Sequence, residues 1–245
     1  MYETLEGRTA LVTGATAGIG AATADALAAA GADVALAARR EGRLAELVQQ
    51  IESDHGVAAY AIPTDVREPS QVSHCVDSVV DEFGRLDAVV VNAGLARGSS
   101  VAEMATDDYR TMMETNVDGA FFTARESISH LRETDGNLVF VGSFAGQYPR
   151  PFNPVYAASK WWLRGFAHSL EASVGPDGVA VTVVNPSEVR TEFGSDYGES
   201  FAERFDEGEV TEPEEIADAI VFAVRQDNST VSELDLYRRD KFEGW

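Results

Sequence analysis

Thr13-Gly14-Ala15-Thr16-Ala17-Gly18-Ile19-Gly20 decides how this chain is read. Before it stands Thr9-Ala-Leu-Val-Thr13, a short apolar run that reads as a buried strand. After it comes an Ala-rich helix from about Ile19 to Ala30, with Gly31 placed to end it. Gly14 permits a tight turn, Gly18 lets the backbone approach a pyrophosphate, and Gly20 lets the helix pack closely on the sheet. The helix N-terminus offers unpaired N–H groups to phosphate, and Thr16 and Ile19 belong to the same loop. Glycine trios join strands to helices in many proteins, and the G-x3-G-x-G spacing is not the usual one. Its place, after a buried strand and opening the first helix, is what points to a dinucleotide.

Outward from this loop, short apolar runs alternate with longer helical patterns. Strands are predicted at Asp33–Ala37, Val57–Ile62, Leu86–Val91, Asn137–Val141, Val179–Val184 and Ser232–Tyr237. Helices are predicted at Glu41 to about Asp54, through Val72 to Phe83, from about Asp107 to Arg132, and from about Val155 to Ala172. A last helix follows Thr211 as cap, with Pro213 in its first turn and Glu214 and Glu215 at the positive dipole end. Ser187–Val210 is less regular and is expected to cover a cleft as a lid. Alternation without a long polar linker predicts one domain over 1–245, a doubly wound α/β parallel sheet with helices on both faces.

The composition narrows the classes further. The 245 residues, 44% of them hydrophobic, suffice for a sizeable core, and the single Cys75 cannot close an internal disulfide. No signal peptide or membrane span is read, which points to a soluble cytoplasmic protein. Forty-one acidic residues against nineteen basic ones give a formal charge of −22, and only Lys160 and Lys241 of the basic set are lysines. So negative a surface repels nucleic acid and anionic lipid, so neither is expected as a partner. Self-repulsion of this size is screened in concentrated salt, as in a halophile's protein; a very acidic mesophilic protein is the alternative.

The end of the second strand bears on which dinucleotide. An acid there bonds both ribose hydroxyls of NAD and repels a 2′-phosphate. This strand ends Ala37-Ala38-Arg39-Arg40, with Ala38 where the acid belongs. A guanidinium gives phosphate a planar, charge-assisted fork, so Arg39 and Arg40 favour NADP(H) over NAD(H). The alternative is a solvated helix start.

Tyr156-Ala-Ala-Ser-Lys160 stands at the start of a predicted helix, and i, i+4 residues share one face. A free phenol titrates near pH 10, and a neighbouring ammonium lowers that value, making Tyr156 a usable acid or base. A chain that has nearly abandoned lysine keeps one here, where a compact point charge is wanted. Incidental Tyr and Lys on an amphipathic helix is the competing reading.

Seven stretches in order resemble the short-chain dehydrogenase/reductase family over nearly the whole length: the glycine loop, Asp65-Val66, Asn92-Ala93-Gly94, Asn116-Val117, Ser143, Tyr156-x3-Lys160 and Asn185-Pro186. The resemblance implies a Rossmann-like sheet of seven parallel strands and proton-coupled hydride transfer with a nicotinamide cofactor. It implies that Tyr156 exchanges the proton, Lys160 holds the nicotinamide ribose and depresses the Tyr156 pKa, and Ser143 bonds the substrate oxygen. Asn116 would support a water chain behind Lys160, Asp65 would bond the adenine amino group, and Asn92, Ala93 and Gly94 would line the trough. Each also has a local reading, as loop cap, backbone bond or buried helical polar. After Pro186 the family usually has Gly, whereas this chain has Ser187 and then Glu188, with Val189 and Thr191 still placed to reach the carboxamide.

The small-molecule carbonyl or alcohol substrate is open. Phe144, Tyr148, Phe152, Phe193 and Tyr197 are candidate walls, and Gln147, Arg150 and Arg190 could meet a carboxylate. The C-terminus resembles the subgroup acting on 3-hydroxy acids; a 3-ketoacyl thioester substrate and a cofactor-binding regulatory or scaffold protein are the alternatives. The four histidines are scattered without ligand spacing, so no metal is expected. The helices from Asp107 and bearing Tyr156 resemble those that pair subunits in the family, so a homo-oligomer is expected, a tetramer rather than a dimer, with Trp161 and Trp162 either there or in the core. The charge balance makes the first prediction: the melting temperature should rise steadily with KCl into the molar range. Melting that is flat or falls with KCl contradicts the high-salt reading.

Overall fold

A computed structural model describes residues 4–97, 100–194 and 198–243. Seven parallel strands form one sheet in the order β3-β2-β1-β4-β5-β6-β7. They are β1 (Thr9–Thr13), β2 (Asp33–Ala38), β3 (Ala59–Pro63), β4 (Ala88–Val91), β5 (Asn137–Val141), β6 (Ala180–Pro186) and β7 (Glu233–Leu236). The helices are α1 (Gly18–Ala29), α2 (Glu41–His55), α3 (Pro69–Phe83), α4 (Thr106–Met113), α5 (Gly119–Glu133), α6 (Pro154–Val174), α7 (Phe201–Arg204) and α8 (Pro213–Val224).

Every residue of β1, β4 and β5 is buried, which is why these strands read as unbroken apolar runs rather than as alternating ones. Val12, Val34, Val90 and Val139 meet Leu27 of α1, Leu44 of α2 and Ile216 of α8 on one face. Leu11, Ala35, Val89 and Phe140 meet Val76 of α3, Ala124 of α5 and Leu163 of α6 on the other. This is the doubly wound α/β fold predicted from the alternation, with the seven-stranded Rossmann-like sheet that the resemblance implies. The strand order reverses between β1 and β4, where connections leave toward opposite faces and open a crevice.

Two local readings are corrected, and a third segment gains detail. The helix predicted over Asp107–Arg132 is interrupted by a π turn at Glu114–Asp118, which joins α4 to α5 and carries Asn116. Hydrophobic periodicity carries no mark for one wide turn, and such turns recur at functional sites. Thr211 does not cap α8. It is drawn into a bridge with Val189, its carbonyl accepts from Arg190 N at 3.0 Å, and Glu212 caps the helix in a box with Glu215. Within the irregular stretch after β6, Ser200 and Glu203 make a capping box for α7.

The first loop is packed with almost no slack. A Cβ on Gly20 would stand 2.3 Å from the Gly14 carbonyl oxygen and 2.5 Å from Asn92 Nδ2. Gly20→Ala should therefore destabilise the fold by about 1–3 kcal/mol, the ordinary range for overpacking. Urea unfolding would show a lower midpoint at unchanged slope, and an unaltered midpoint would mean that this contact is not what the fold needs.

Candidate active site

A cavity of about 550 Å³ opens where the strands end. Gly14, Thr16, Gly18 and Ile19 line it from the first loop, and Arg39 and Arg40 from the end of β2. Asp65 and Val66 follow β3, while Asn92, Ala93 and Gly94 follow β4. Ser143 follows β5, Tyr156 and Lys160 project from α6, and Pro186, Val189 and Thr191 come from the end of β6 onward. The two predicted site residues behind this lining are Gly20, packed under Gly14, and Asn116. The Asn116 amide donates to the Leu95 carbonyl at 2.8 Å and to Ser159 Oγ at 3.1 Å, and it accepts from Leu95 N at 2.9 Å. It pins the loop after β4 to α6 next to Lys160.

Several polar groups predicted to meet a cofactor are engaged within the protein. Asn92 Nδ2 donates to the Thr13 carbonyl at 2.9 Å, and the Thr13 hydroxyl accepts from Asn92 N and Ala93 N, so the first loop is tied to the end of β4. The Asp65 carboxylate is forked by Arg67, whose hydrogen bonds hold its pKa below the usual carboxylate range. Arg40 donates to Thr16 Oγ1 and to the Thr16 carbonyl, each at 3.1 Å, and reaches Glu192 at 3.3 Å. Glu192 also accepts from Arg43 at 3.1 Å, strapping the segment after β6 to α2. Arg39 is exposed and makes no side-chain hydrogen bond or ion pair among the described residues.

Ser143 caps the short 3₁₀ turn Phe144–Gly146, its hydroxyl accepting from Ala145 N at 3.1 Å. Asn153 caps α6 by accepting from Tyr156 N, and the first turns of that helix turn Tyr156 and Lys160 into the cavity. The Lys160 ammonium donates to the Val141 carbonyl at 2.8 Å and lies 6.0 Å from the centre of the Tyr156 ring. Burial, which penalises charge, lowers the Lys160 pKa to about 8. Burial also pushes the Tyr156 phenol above its ordinary value, against pulls in the other direction from the Ser143 hydroxyl and then the Arg150 charge. The i, i+4 spacing predicts a downward pull from Lys160 as well, and that ammonium also donates to the end of β5.

The sequence profile of the short chain dehydrogenases matches residues 8–200. This chain belongs to the short-chain dehydrogenase family of oxidoreductases. An uncharacterized oxidoreductase of Staphylococcus epidermidis is 32% identical over 222 residues, which cover 89% of this chain and 91% of its own. An alcohol dehydrogenase from the archaeon Thermococcus sibiricus, solved with 5-hydroxy-NADP, is 28% identical with a TM-score of 0.88, over 95% of this chain and 97% of that one. A 3-ketoacyl-(acyl-carrier-protein) reductase from Brucella melitensis, solved with NADH, is 25% identical with a TM-score of 0.87, over 97% and 100%.

The remaining candidates of this short-chain dehydrogenase divide cleanly. Phe193 and Arg150 line the cavity, as do Leu95, Glu192 and Phe201, which the sequence reading does not single out. Phe144 is fully buried with Tyr148 stacked on it at 4.3 Å, Phe152 is exposed, and Tyr197 lies outside the described residues. Gln147 turns away to Glu233 and Asp235, and Arg190 pairs with Glu212 at 2.9 Å. Ser187, where the family has Gly, avoids positive φ; its hydroxyl accepts from Arg238 N at 2.9 Å. Asn185, quoted only as part of a motif, bonds Ser143 N with its oxygen and Glu233 with its nitrogen. Among the described residues no group of three His, Cys, Asp or Glu could hold a metal ion, and no helix is long and apolar enough to cross a membrane.

Burial of Lys160 gives a signed pH dependence. The folded chain releases this proton near pH 8, whereas an unfolded lysine keeps it to about 10.4. The unfolded state binds more protons between these values, so this group's contribution to stability rises with pH across that window. Urea unfolding at pH 8, 9 and 10 should show the stability of wild type gaining on that of Lys160→Met. A constant difference would mean that the ammonium is not buried as described.

Proposed function

We propose that this protein is an NADP(H)-dependent oxidoreductase that interconverts a small carbonyl compound and its secondary alcohol, with Tyr156 as general acid and base. One observation carries the reading: Ser143, Tyr156 and Lys160 share a cavity with the glycine loop and with Arg39 at the end of β2. A bound nicotinamide dinucleotide supplies or accepts the hydride.

The residues present fit such a group. Gly18 has a φ of +52°, and a Cβ there would stand 2.9 Å from Thr191, so the first loop offers bare backbone where phosphates would lie. A Cβ on Gly94 would point at Asn116 Oδ1, 3.3 Å away, and at Lys160 Nζ, 3.7 Å away; the trough is open backbone there too. At the β2 end Ala38 removes the acid that would repel a 2′-phosphate. Arg39, without a side-chain partner among the described residues, can fork it, while Arg40 is held beside it by Thr16 and Glu192.

In this reading the raised Tyr156 pKa keeps the phenol protonated at neutral pH, ready to donate to the oxygen of a nascent alkoxide. Ser143 bonds that same oxygen, and the Lys160 ammonium, still charged at neutral pH, holds the ribose hydroxyls. Asn116 acts as a positioning residue for Lys160 through Leu95 and Ser159. The exposed Trp161, Trp162 and Phe121 on α5 and α6 support a homo-oligomer, taken as a tetramer. The charge balance supports a cytoplasmic setting rich in salt.

Tyr156→Phe should lower kcat on carbonyl substrates by at least about 10³-fold, within the range for a lost general acid, while NADPH binding followed by fluorescence stays near wild type. Retained turnover, or loss of turnover and NADPH binding together, would overturn the role given to this phenol.

A further inference from the structure

Beside Tyr156 the cavity holds a second positive charge besides Lys160. Arg150 lies between the 3₁₀ turn and α6, half-buried, and lines the cavity together with Ser143, Tyr156 and Glu188. Two rings fix it, its guanidinium carbon standing 4.8 Å from the centre of Phe144 and 5.5 Å from that of Phe152. Its one side-chain hydrogen bond among the described residues runs from a single nitrogen to Glu188 Oε1 at 3.4 Å. That is long for a charge-assisted pair, and the other four N–H donors have no acceptor among the described residues.

Glu188 is closed on a different cation. Lys241 reaches back from the C-terminal turn and places its ammonium 2.5 and 2.7 Å from the two carboxylate oxygens, and 4.4 Å from the Phe144 ring centre. Its side chain is 7% exposed and does not line the cavity. Two cations thus share one carboxylate, and the surplus positive charge is the one facing the substrate end. A chain of net charge −22 has one of its two lysines here, neutralising Glu188. The long contact to Glu188 offsets only part of the desolvation of a half-buried guanidinium whose other donors find no acceptor among the described residues, and a planar monoanion supplies the rest in fork geometry.

We propose that Arg150 anchors a carboxylate of the substrate, so that this enzyme acts on small keto acids and hydroxy acids, and that the Lys241–Glu188 pair keeps Arg150 available for it. The proposal rests on the carbonyl–alcohol reading above. A single surplus charge matches a carboxylate monoanion better than a phosphate dianion.

The test assays NADPH oxidation with pyruvate, acetoacetate and levulinate, each beside its methyl ester, at one fixed KCl concentration. At least one acid should exceed its ester in kcat/KM by about 10- to 100-fold, as expected for hydrogen bonds to a charged group. In Arg150→Gln that ratio should collapse toward one, chiefly through KM, and Arg150→Lys should restore only part of it, since an ammonium lacks the fork. Lys241→Met, which frees Glu188 to close on Arg150, should lower the same ratio and guards against misfolding of the arginine variants. Esters reduced as well as their acids, with a ratio unmoved in Arg150→Gln, would overturn the anchor and leave the carbonyl reading standing. Reduction of none of the six would overturn both.

Discussion

Seven parallel strands leave the sheet in one direction, and that constraint organises everything else in the molecule. Each β-to-α connection emerges on the same edge, so residues as distant as Gly14, Arg39, Asn92, Ser143 and Thr191 come to line one cavity. The crevice sits where the order reverses beside β1, and the Thr13 hydroxyl and Asn92 amide clasp β1 to β4 there. The glycines serve this closeness, because side chains at 14 and 20 would occupy the space of Asn92 and of the loop's own carbonyl. The backbone N–H groups at the start of α1 are left facing the cavity as a consequence.

Electrostatics inside the cavity run against those of the surface. Outside, acids outnumber bases by about two to one. Within, Lys160 is buried against a β5 carbonyl, Arg39 is unpaired among the described residues at one end, and Arg150 is loosely paired at the other. The phenol between them is pushed up by burial and pulled down by Ser143 and Arg150. A phenol in such surroundings keeps its proton until a more basic oxygen arrives, which suits the role proposed for it.

How much of this could be read from the chain depends on the distance over which each feature is encoded. The glycine loop and Tyr156-x3-Lys160 are local patterns whose geometry follows from a turn and from helix periodicity, and the structure places both at the cavity. Strand alternation gave the sheet because buried parallel strands are continuously apolar. The π turn at Glu114–Asp118 escaped because one wide turn leaves the apolar spacing almost intact. Thr211 looked like a cap, but a bridge to Val189 outcompeted its hydroxyl. Partners set by tertiary placement were beyond reach: Lys241 on Glu188 spans 53 positions and Glu192 on Arg40 spans 152. Lys160 shows the limit well. The i, i+4 rule puts it beside Tyr156, but nothing local says that a β5 carbonyl accepts a hydrogen bond from it.

Cofactor choice is the point at which fold, loop and charge meet, since it requires the trough, the glycine turn and the missing acid at Ala38 together. The most direct measurement is a fluorescence titration of the purified protein with NADPH and with NADH at one fixed KCl concentration. The account predicts saturable binding of NADPH with a Kd at least about tenfold below that of NADH, which corresponds to about 1.4 kcal/mol. NADH bound as tightly as NADPH, or neither bound, would contradict it.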